Sequence, residues 1–109
     1  MRVAELVEEK AAGDTLALDL REVGAFTDFF VICSGANERQ TRSIAEHVRE
    51  QLKAGGTIPR GAAGERDGSW VILDYLDVVL HVFTPASREF YGLDELWGDV
   101  PEIELVAQS

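Results

Sequence analysis

The segment that most constrains the fold is Asp28–Ser34, with the sequence DFFVICS. All of its residues between the two ends are apolar, so both faces of a strand built from them would be apolar. Such a strand is stable in the interior of a layered α/β sheet, where both faces are covered, or where a partner covers its outer face. The segment therefore predicts a central strand of a sheet.

The segments on either side of this strand alternate between helical and strand periodicity. Helical spacing of apolar residues predicts helices over residues 3–12 and 38–54. Gly13 is the predicted end of the first helix, and Asn37 and Gln40 are placed to form a capping box at the start of the second. The further predicted elements are strands over 15–20, 70–74 and 77–83, a short strand within 57–69, a helix over 85–91 and a helical turn over 93–97. This order predicts an α/β fold in which helices flank a mixed β-sheet.

Length and composition limit the chain to one small domain. The 109 residues are enough for one compact core, and a hydrophobic fraction of 46% favours folding over disorder. Acidic residues outnumber basic ones by 20 to 10, which excludes binding through nucleic-acid phosphates as the main mode. No apolar run reaches the roughly 18 residues of a membrane span, and acidic residues stand where a signal peptide would be apolar. A cytoplasmic protein without an internal disulfide is expected.

The hairpin formed by the last two predicted strands carries the most informative local pattern. A turn at Tyr75 and Leu76 would place Asp74 opposite Asp77, and one face of the hairpin would be purely aliphatic. That face is predicted to be core. The other face is a mixture that cores seldom use: Trp70, Ile72, Asp74, Asp77, Val79 and His81. A register error of one residue would exchange residues between the two faces.

Three interpretations of this mixed face are open. A helix could cover it, with Trp70 and His81 in the core and the aspartates as turn formers. A metal site is disfavoured, because Asp77 and His81 are four residues apart on a strand, roughly 13 Å. We favour an exposed binding surface, on which Trp70 is an aromatic anchor and the acidic turn selects a partner rich in lysine or arginine.

Other candidate sites are weaker. Cys33 is predicted to be a plain buried thiol, since no histidine is placed within its reach. The turn Ser34–Asn37 precedes a helix and could hold an anion, but it lacks the lysine of a phosphate-binding loop, so a structural cap is favoured. His47 lies beside the apolar stripe of its helix and is predicted to face solvent.

The chain resembles the Iojap-like family of bacterial ribosomal silencing factors over residues 3 to about 99. The matching motifs occur in the same order and spacing: LDL at 18–20, TDFFVI at 27–32 followed by Ser34-Gly35, Arg39-Gln40, Ile44-Ala45, His47-Val48, GSWVILDY at 68–75, DVVLHVF at 77–83, REFY at 88–91 and LWGD at 96–99. Leu76 departs from the pattern, because the family commonly has glycine in this turn.

The resemblance implies one domain over residues 1–99, a nucleotidyltransferase-like core without catalytic residues, followed by an acidic tail over 100–109. It implies binding to the large ribosomal subunit through its basic protein L-fourteen, which blocks association with the small subunit and represses translation when nutrients are scarce. The expected protein is not an enzyme, needs no cofactor or metal, binds neither DNA nor membranes, contacts RNA at most peripherally and can form a homodimer. The binding residues carried over from the family are Trp70, Asp74, Tyr75, Asp77 and His81, four of which the hairpin pattern also selects.

Two alternatives belong to other functional classes. A nucleotidyltransferase-type enzyme needs two metal-bridging carboxylates close together, normally in an Asp-x-Asp motif. This chain contains no Asp-x-Asp, and its Asp74 and Asp77 bracket a turn instead. The second alternative is a dimerisation module, in which the face that carries Trp70 contacts the same face of another copy.

Overall fold

The structure, a computed structural model, describes residues 2–104. Its elements confirm the predicted order and add a short final strand. They are α1 (Arg2–Glu9), β1 (Gly13–Asp19), β2 (Phe29–Ser34), α2 (Glu38–Ala54), β3 (Gly61–Ala63), β4 (Trp70–Asp74), β5 (Val78–Phe83), α3 (Pro85–Tyr91), α4 (Leu93–Leu96) and β6 (Glu102–Ile103).

The six strands form one mixed sheet in the order β3-β4-β5-β2-β1-β6. The central pair, β2 and β5, is parallel, and the other neighbours are antiparallel. Residues 30–33 of β2 are all buried, as the apolar segment predicted. The predicted α/β class with a mixed, helix-flanked sheet is confirmed.

Helices α1 and α2 cover one face of the sheet and build the larger core. Their apolar stripes pack against the aliphatic side chains of all the central strands. The buried residues of this core include Leu6, Val7, Ile44, Val48, Val31, Val71, Leu73, Leu80 and Val82. The hairpin face predicted to be aliphatic core is therefore core.

The second face of the sheet is covered less completely. Leu93, Trp97 and Val100 pack over the half of this face that β5, β2 and β1 form. On β4, Trp70 and Ile72 belong to the same apolar cluster but stay half-buried. The chain therefore leaves β4 and the exposed edge strand β3 accessible, next to a covered and well-packed region.

The start of α2 follows the predicted capping arrangement. The Asn37 side chain accepts a hydrogen bond of 2.9 Å from the Gln40 amide, and the Gln40 side chain accepts one of 2.7 Å from the Ala36 amide. Gly35 precedes this cap, and a Cβ atom there would lie 2.7 Å from the Thr41 nitrogen. The turn is thus closely packed against the helix, as expected for a structural cap.

Two boundaries differ from the predictions. Helix α1 ends at Glu9, and the chain reverses at Ala11, which has a φ of 57°, while Gly13 already belongs to β1. Within the predicted acidic tail, Glu102–Ile103 pairs with β1, opposite Leu18 and Ala17. Residues 105–109 of that tail lie outside the described residues.

The predicted register of the hairpin is wrong by two residues. Asp74 pairs with Val79 and Trp70 with Phe83, Asp74 does not face Asp77, and the loop between the two strands contains three residues, 75–77. The loop is closed by a hydrogen bond of 2.9 Å from the Tyr75 amide to the Val78 carbonyl. Because side chains alternate with period two, a shift of two residues preserves the assignment of residues to faces.

The hairpin loop contains a strained residue that glycine would relieve. Leu76 has a φ of 73°, a left-handed conformation that disfavours any side chain. Its side chain is 54% exposed, so little packing would be lost on its removal. We expect Leu76→Gly to raise the free energy of unfolding by about 0.5–1 kcal/mol, measured by urea denaturation. Leu76→Ala keeps the strain and should bring no such gain; an equal gain in both variants would refute the strain.

Candidate functional site

The half-buried indole of Trp70 is the centre of an aromatic cluster on the less covered sheet face. Its ring stacks on the buried Phe83 ring with centroids 4.9 Å apart, and the Tyr91 ring of α3 lies 4.6 Å away. Helix α3 is held in place by its Thr84 cap and by a bidentate contact between Arg88 and Asp94. Trp70 therefore projects from a paired strand, between Phe83 of the neighbouring strand and a helix that is anchored by hydrogen bonds.

Helix α3 extends this cluster to the surface. The side chain of Phe90 is 80% exposed and that of Tyr91 51% exposed, and their rings meet edge to face at 5.0 Å. Together with Trp70 they form a contiguous surface that we call the aromatic patch: Trp70, Phe90 and Tyr91. Large exposed aromatic groups of this kind mark interaction surfaces.

Sequence reasoning missed Phe90 and Tyr91 as surface residues. The seven residues of α3 are too few for periodicity to show which of its side chains face outward. In α3 neither of the two is buried.

The imidazole of His81 lies beneath the patch rather than on it. His81 is 5% exposed, and the Trp70 Nε1–H donates a hydrogen bond of 3.1 Å to its Nδ1. The Phe30 ring meets it edge to face at 4.6 Å. The prediction that His81 lies on an exposed surface is therefore wrong, because the rings of Phe30, Trp70 and Phe83 surround the imidazole. The interpretation that placed both residues in the core is correct for His81 and in part for Trp70.

Burial lowers the pKa of His81 from 6.5 to about 4. Below pH 6.5 the His81 side chain of the unfolded chain is protonated, whereas in the folded protein it stays neutral down to about pH 4. The free energy of unfolding therefore falls as the pH falls from 6.5 to about 4. We expect a loss of about 2–3 kcal/mol in the free energy of unfolding between pH 7 and pH 4.5, measured by urea denaturation. In His81→Asn this loss should largely disappear, and an unchanged loss would contradict the assignment to His81.

The two predicted acidic residues differ in their surroundings. The half-buried Asp74 carboxylate accepts hydrogen bonds from the Leu76 amide at 2.9 Å and from Arg60 Nε at 3.1 Å. Asp77 is exposed, and within residues 2–104 its carboxylate makes no ion pair. Asp77 is therefore free to meet a cation from a partner, whereas Asp74 already has one.

The loop end of the hairpin is apolar as well as acidic. Leu76 and Phe26 are 54% and 67% exposed, and Thr27 Oγ1 donates a hydrogen bond of 2.9 Å to the Leu76 carbonyl. The loop before β2 is thereby tied to the hairpin loop. Trp70 and Asp74 mark the two ends of β4, roughly 13 Å apart.

Tyr75 lies apart from the other predicted site residues. Its ring packs against the core on the α1 and α2 side, on the sheet face opposite Trp70. Burial raises the pKa of its hydroxyl, which has no hydrogen-bond partner within the described residues. The structure therefore brings Trp70, Asp74 and Asp77 to one accessible face or its edge, but not Tyr75.

The remaining candidates show no reactive geometry. Cys33 is fully buried, and burial raises its pKa to about 12, which keeps the thiol protonated, as predicted. His47 is partly exposed and contacts Glu9 at 2.8 Å. Among residues 2–104 there is no group of three His, Cys, Asp or Glu side chains that could hold a metal ion. Within the same range, none of the helices has the length and apolarity needed to cross a membrane.

The fold and this surface define a small α/β domain whose mixed sheet is fully covered on one face and partly covered on the other. The chain belongs to the ribosomal silencing factor family, since the family model described as "Ribosomal silencing factor during starvation" matches residues 1–109. The ribosomal silencing factor of Bacillus subtilis is 36% identical over 102 residues, which cover 94% of this chain and 86% of the relative. The chloroplastic protein Iojap of Zea mays is 33% identical, and the match covers 94% of this chain and 45% of that protein.

Solved structures share the fold. A crystal structure of a Chromobacterium violaceum protein superposes with a TM-score of 0.85 at 30% identity, covering 96% of this chain and 88% of that one. A crystal structure from Bacillus halodurans gives a TM-score of 0.84 at 33% identity and covers 95% of both chains. The predicted family resemblance is thus confirmed in sequence and in fold.

Proposed function

We propose that this protein is a cytoplasmic factor that binds the large ribosomal subunit through its basic protein L-fourteen and blocks association with the small subunit. Translation would be repressed as a result, as the family name suggests for starvation. The observation that carries the proposal is the aromatic patch at one end of β4 in a family member, with the free carboxylate of Asp77 in the loop beyond the other end. An aromatic anchor with an acidic rim suits a basic protein surface.

The charge of the chain favours a protein target over ribosomal RNA. A formal net charge of −10 repels a phosphate backbone, so contacts to RNA would be peripheral. The same charge attracts a basic ribosomal protein and speeds the encounter with it. Most of the acidic residues serve solubility in this scheme, and the exposed Asp77 is placed to pair with the partner.

The inhibition would be steric. The domain measures about 33 × 32 × 32 Å, large enough to keep two ribosomal subunits apart when it is bound at their interface. No reaction, metal or cofactor is needed for this mechanism. The arrangement of the two aspartates also disfavours the enzymatic alternative, because Asp74 is engaged by Arg60 and Asp77 lies outside the strand.

Co-sedimentation tests the proposed binding directly. The full-length protein is mixed with purified 50S subunits and centrifuged through a sucrose cushion, and 30S subunits serve as the control. We expect the protein in the 50S pellet and not in the 30S pellet. Its absence from the 50S pellet, or equal amounts in both, would overturn the proposal.

Charge reversal at Asp77 should weaken this binding without affecting the fold. Asp77→Lys replaces attraction with repulsion toward a basic partner, and we expect about tenfold weaker binding to 50S subunits. The difference from the wild type should become smaller at high salt, because salt screens the interaction. Glu50→Lys is the matched control, since Glu50 is exposed on α2, which covers the opposite face of the sheet. Equal affinities for both variants would refute the role of Asp77.

A homodimer through the aromatic patch is the second candidate, favoured by the exposure of Phe90 and Tyr91. It predicts that Trp70→Ala converts dimers to monomers in sedimentation equilibrium while the affinity for 50S subunits stays the same. A monomeric wild type at micromolar concentration would exclude it.

A further inference from the structure

The single polar atom of the Trp70 side chain points inward, away from the surface that a partner would meet. Its Nε1–H is bonded to Nδ1 of His81 at 3.1 Å, and the two ring centroids are 6.0 Å apart. A tryptophan that docks on a partner often uses this N–H in the contact. Here it is already engaged, so Trp70 presents an apolar ring to the outside.

We infer that His81 is a positioning residue, which holds the Trp70 indole in the orientation needed for docking and does not touch the partner itself. The inference rests on the proposed function, since it concerns the same docking surface. It replaces the direct contact predicted for His81 from the sequence with an action through Trp70.

The surroundings of His81 make it a fixed acceptor. The ring is held between Phe30, edge to face at 4.6 Å, and the aromatic cluster of Trp70 and Phe83. It is 5% exposed, and its Nε2 has no hydrogen-bond partner within residues 2–104. Since Nδ1 accepts the bond from Trp70, the neutral ring carries its proton on Nε2. A neutral imidazole that cannot turn toward water presents its Nδ1 in one direction, and the hydrogen bond to it therefore fixes one orientation of the Trp70 indole.

The other contacts of Trp70 do not fix this geometry by themselves. Stacking on Phe83 and contact with Tyr91 are apolar and tolerate sliding and rotation of the indole in its plane. A directional hydrogen bond does not tolerate such rotation, because its strength falls steeply with angle. Without the acceptor, Nε1–H would be left unpaired in the half-buried site or would turn toward water, which would aim the ring differently.

Two substitutions separate the acceptor from the bulk of the side chain. Asparagine at position 81 can place Oδ1 where Nδ1 stands, so His81→Asn keeps the acceptor, whereas His81→Leu removes it. We measure affinity for purified 50S subunits at pH 7.5 and, in the free protein, the exchange rate of the Trp70 indole N–H by nitrogen-15 NMR. Trp97, whose indole N–H makes no hydrogen bond within the described residues, is the internal reference.

The expected result is a slowly exchanging Trp70 N–H in the wild type, faster exchange and about tenfold weaker binding in His81→Leu, and near-wild-type values for both in His81→Asn. Val82→Ala, which truncates the core on the opposite sheet face, should lower stability and leave both values unchanged. Equal losses in His81→Leu and His81→Asn would overturn the inference, and so would wild-type affinity in His81→Leu.

These outcomes are distinct from a failure of the proposed function. If the wild type does not bind 50S subunits, or if Trp70→Ala binds them as tightly as the wild type, the proposed docking surface is wrong, independently of the role of His81. If His81→Leu does not fold, the wild-type exchange rate still decides: a Trp70 N–H that exchanges as fast as that of Trp97 refutes the bond to His81.

Discussion

Trp70→Ala is expected to weaken binding to purified 50S subunits by about 100-fold, the largest loss from any single surface substitution. The indole is the anchor of the aromatic patch, and its truncation removes both the contact area and the ring on which Tyr91 rests. The measurement is a titration of labelled protein with subunits, at a temperature where circular dichroism shows the variant to be folded.

Ile58→Ala is the matched control for this experiment. Ile58 is 70% exposed and follows the C-terminal end of α2, so its truncation removes a large apolar side chain away from the patch. We expect its affinity to stay within about twofold of the wild type. If Ile58→Ala loses as much affinity as Trp70→Ala, exposed apolar surface in general causes the binding, and the patch has no special role.

Gly64→Ala is expected to have the largest effect on folding, a loss of about 3 kcal/mol in the free energy of unfolding. Gly64 has a φ of 80°, and a Cβ atom there would lie 1.8 Å from the carbonyl oxygen of Trp70. The loop between β3 and β4 can therefore approach the start of β4 only with glycine at this position. Because the clash falls on the Trp70 backbone, the variant should also bind 50S subunits less well.

Gly24→Ala separates the two causes of this loss. Gly24 has a similar φ of 70°, but a Cβ atom there would meet nothing within 4 Å. The control should therefore lose about 1 kcal/mol, the cost of the left-handed backbone alone. Urea denaturation of both variants gives the difference. If Gly64→Ala loses no more than Gly24→Ala, the loop does not pack closely against Trp70.

The layered fold could be predicted from sequence because its strongest signals are local. The apolar segment at Asp28–Ser34 and the helical stripe of residues 38–54 are long enough to define their elements by periodicity alone. The two residues of β6 are too few for any pattern, and they pair because the preceding segment crosses the sheet to reach β1. The sequence predicts the end of α1 in the wrong place, because Ala11, and not Gly13, takes the left-handed conformation.

The site could be predicted in part, because the alternation of the strand assigned Trp70 and Asp74 to one face whatever the exact register. Burial is a different matter. Whether His81 meets solvent depends in part on Phe30, which comes from β2, a distant part of the chain, and no local pattern reveals this. Tyr75 follows Asp74 directly, so alternation alone places it on the opposite face, against the expectation from the family.

The central claim is that the protein, docked through Trp70, keeps the ribosomal subunits apart. The most direct measurement is light scattering of 50S and 30S subunits as they associate after a rise in magnesium concentration, with wild-type protein or Trp70→Ala preincubated with the 50S subunits. We predict that wild-type protein suppresses the rise in scattering in proportion to its occupancy of 50S subunits, while Trp70→Ala at the same concentration leaves it intact. Normal association of 50S subunits that are saturated with wild-type protein would contradict the claim.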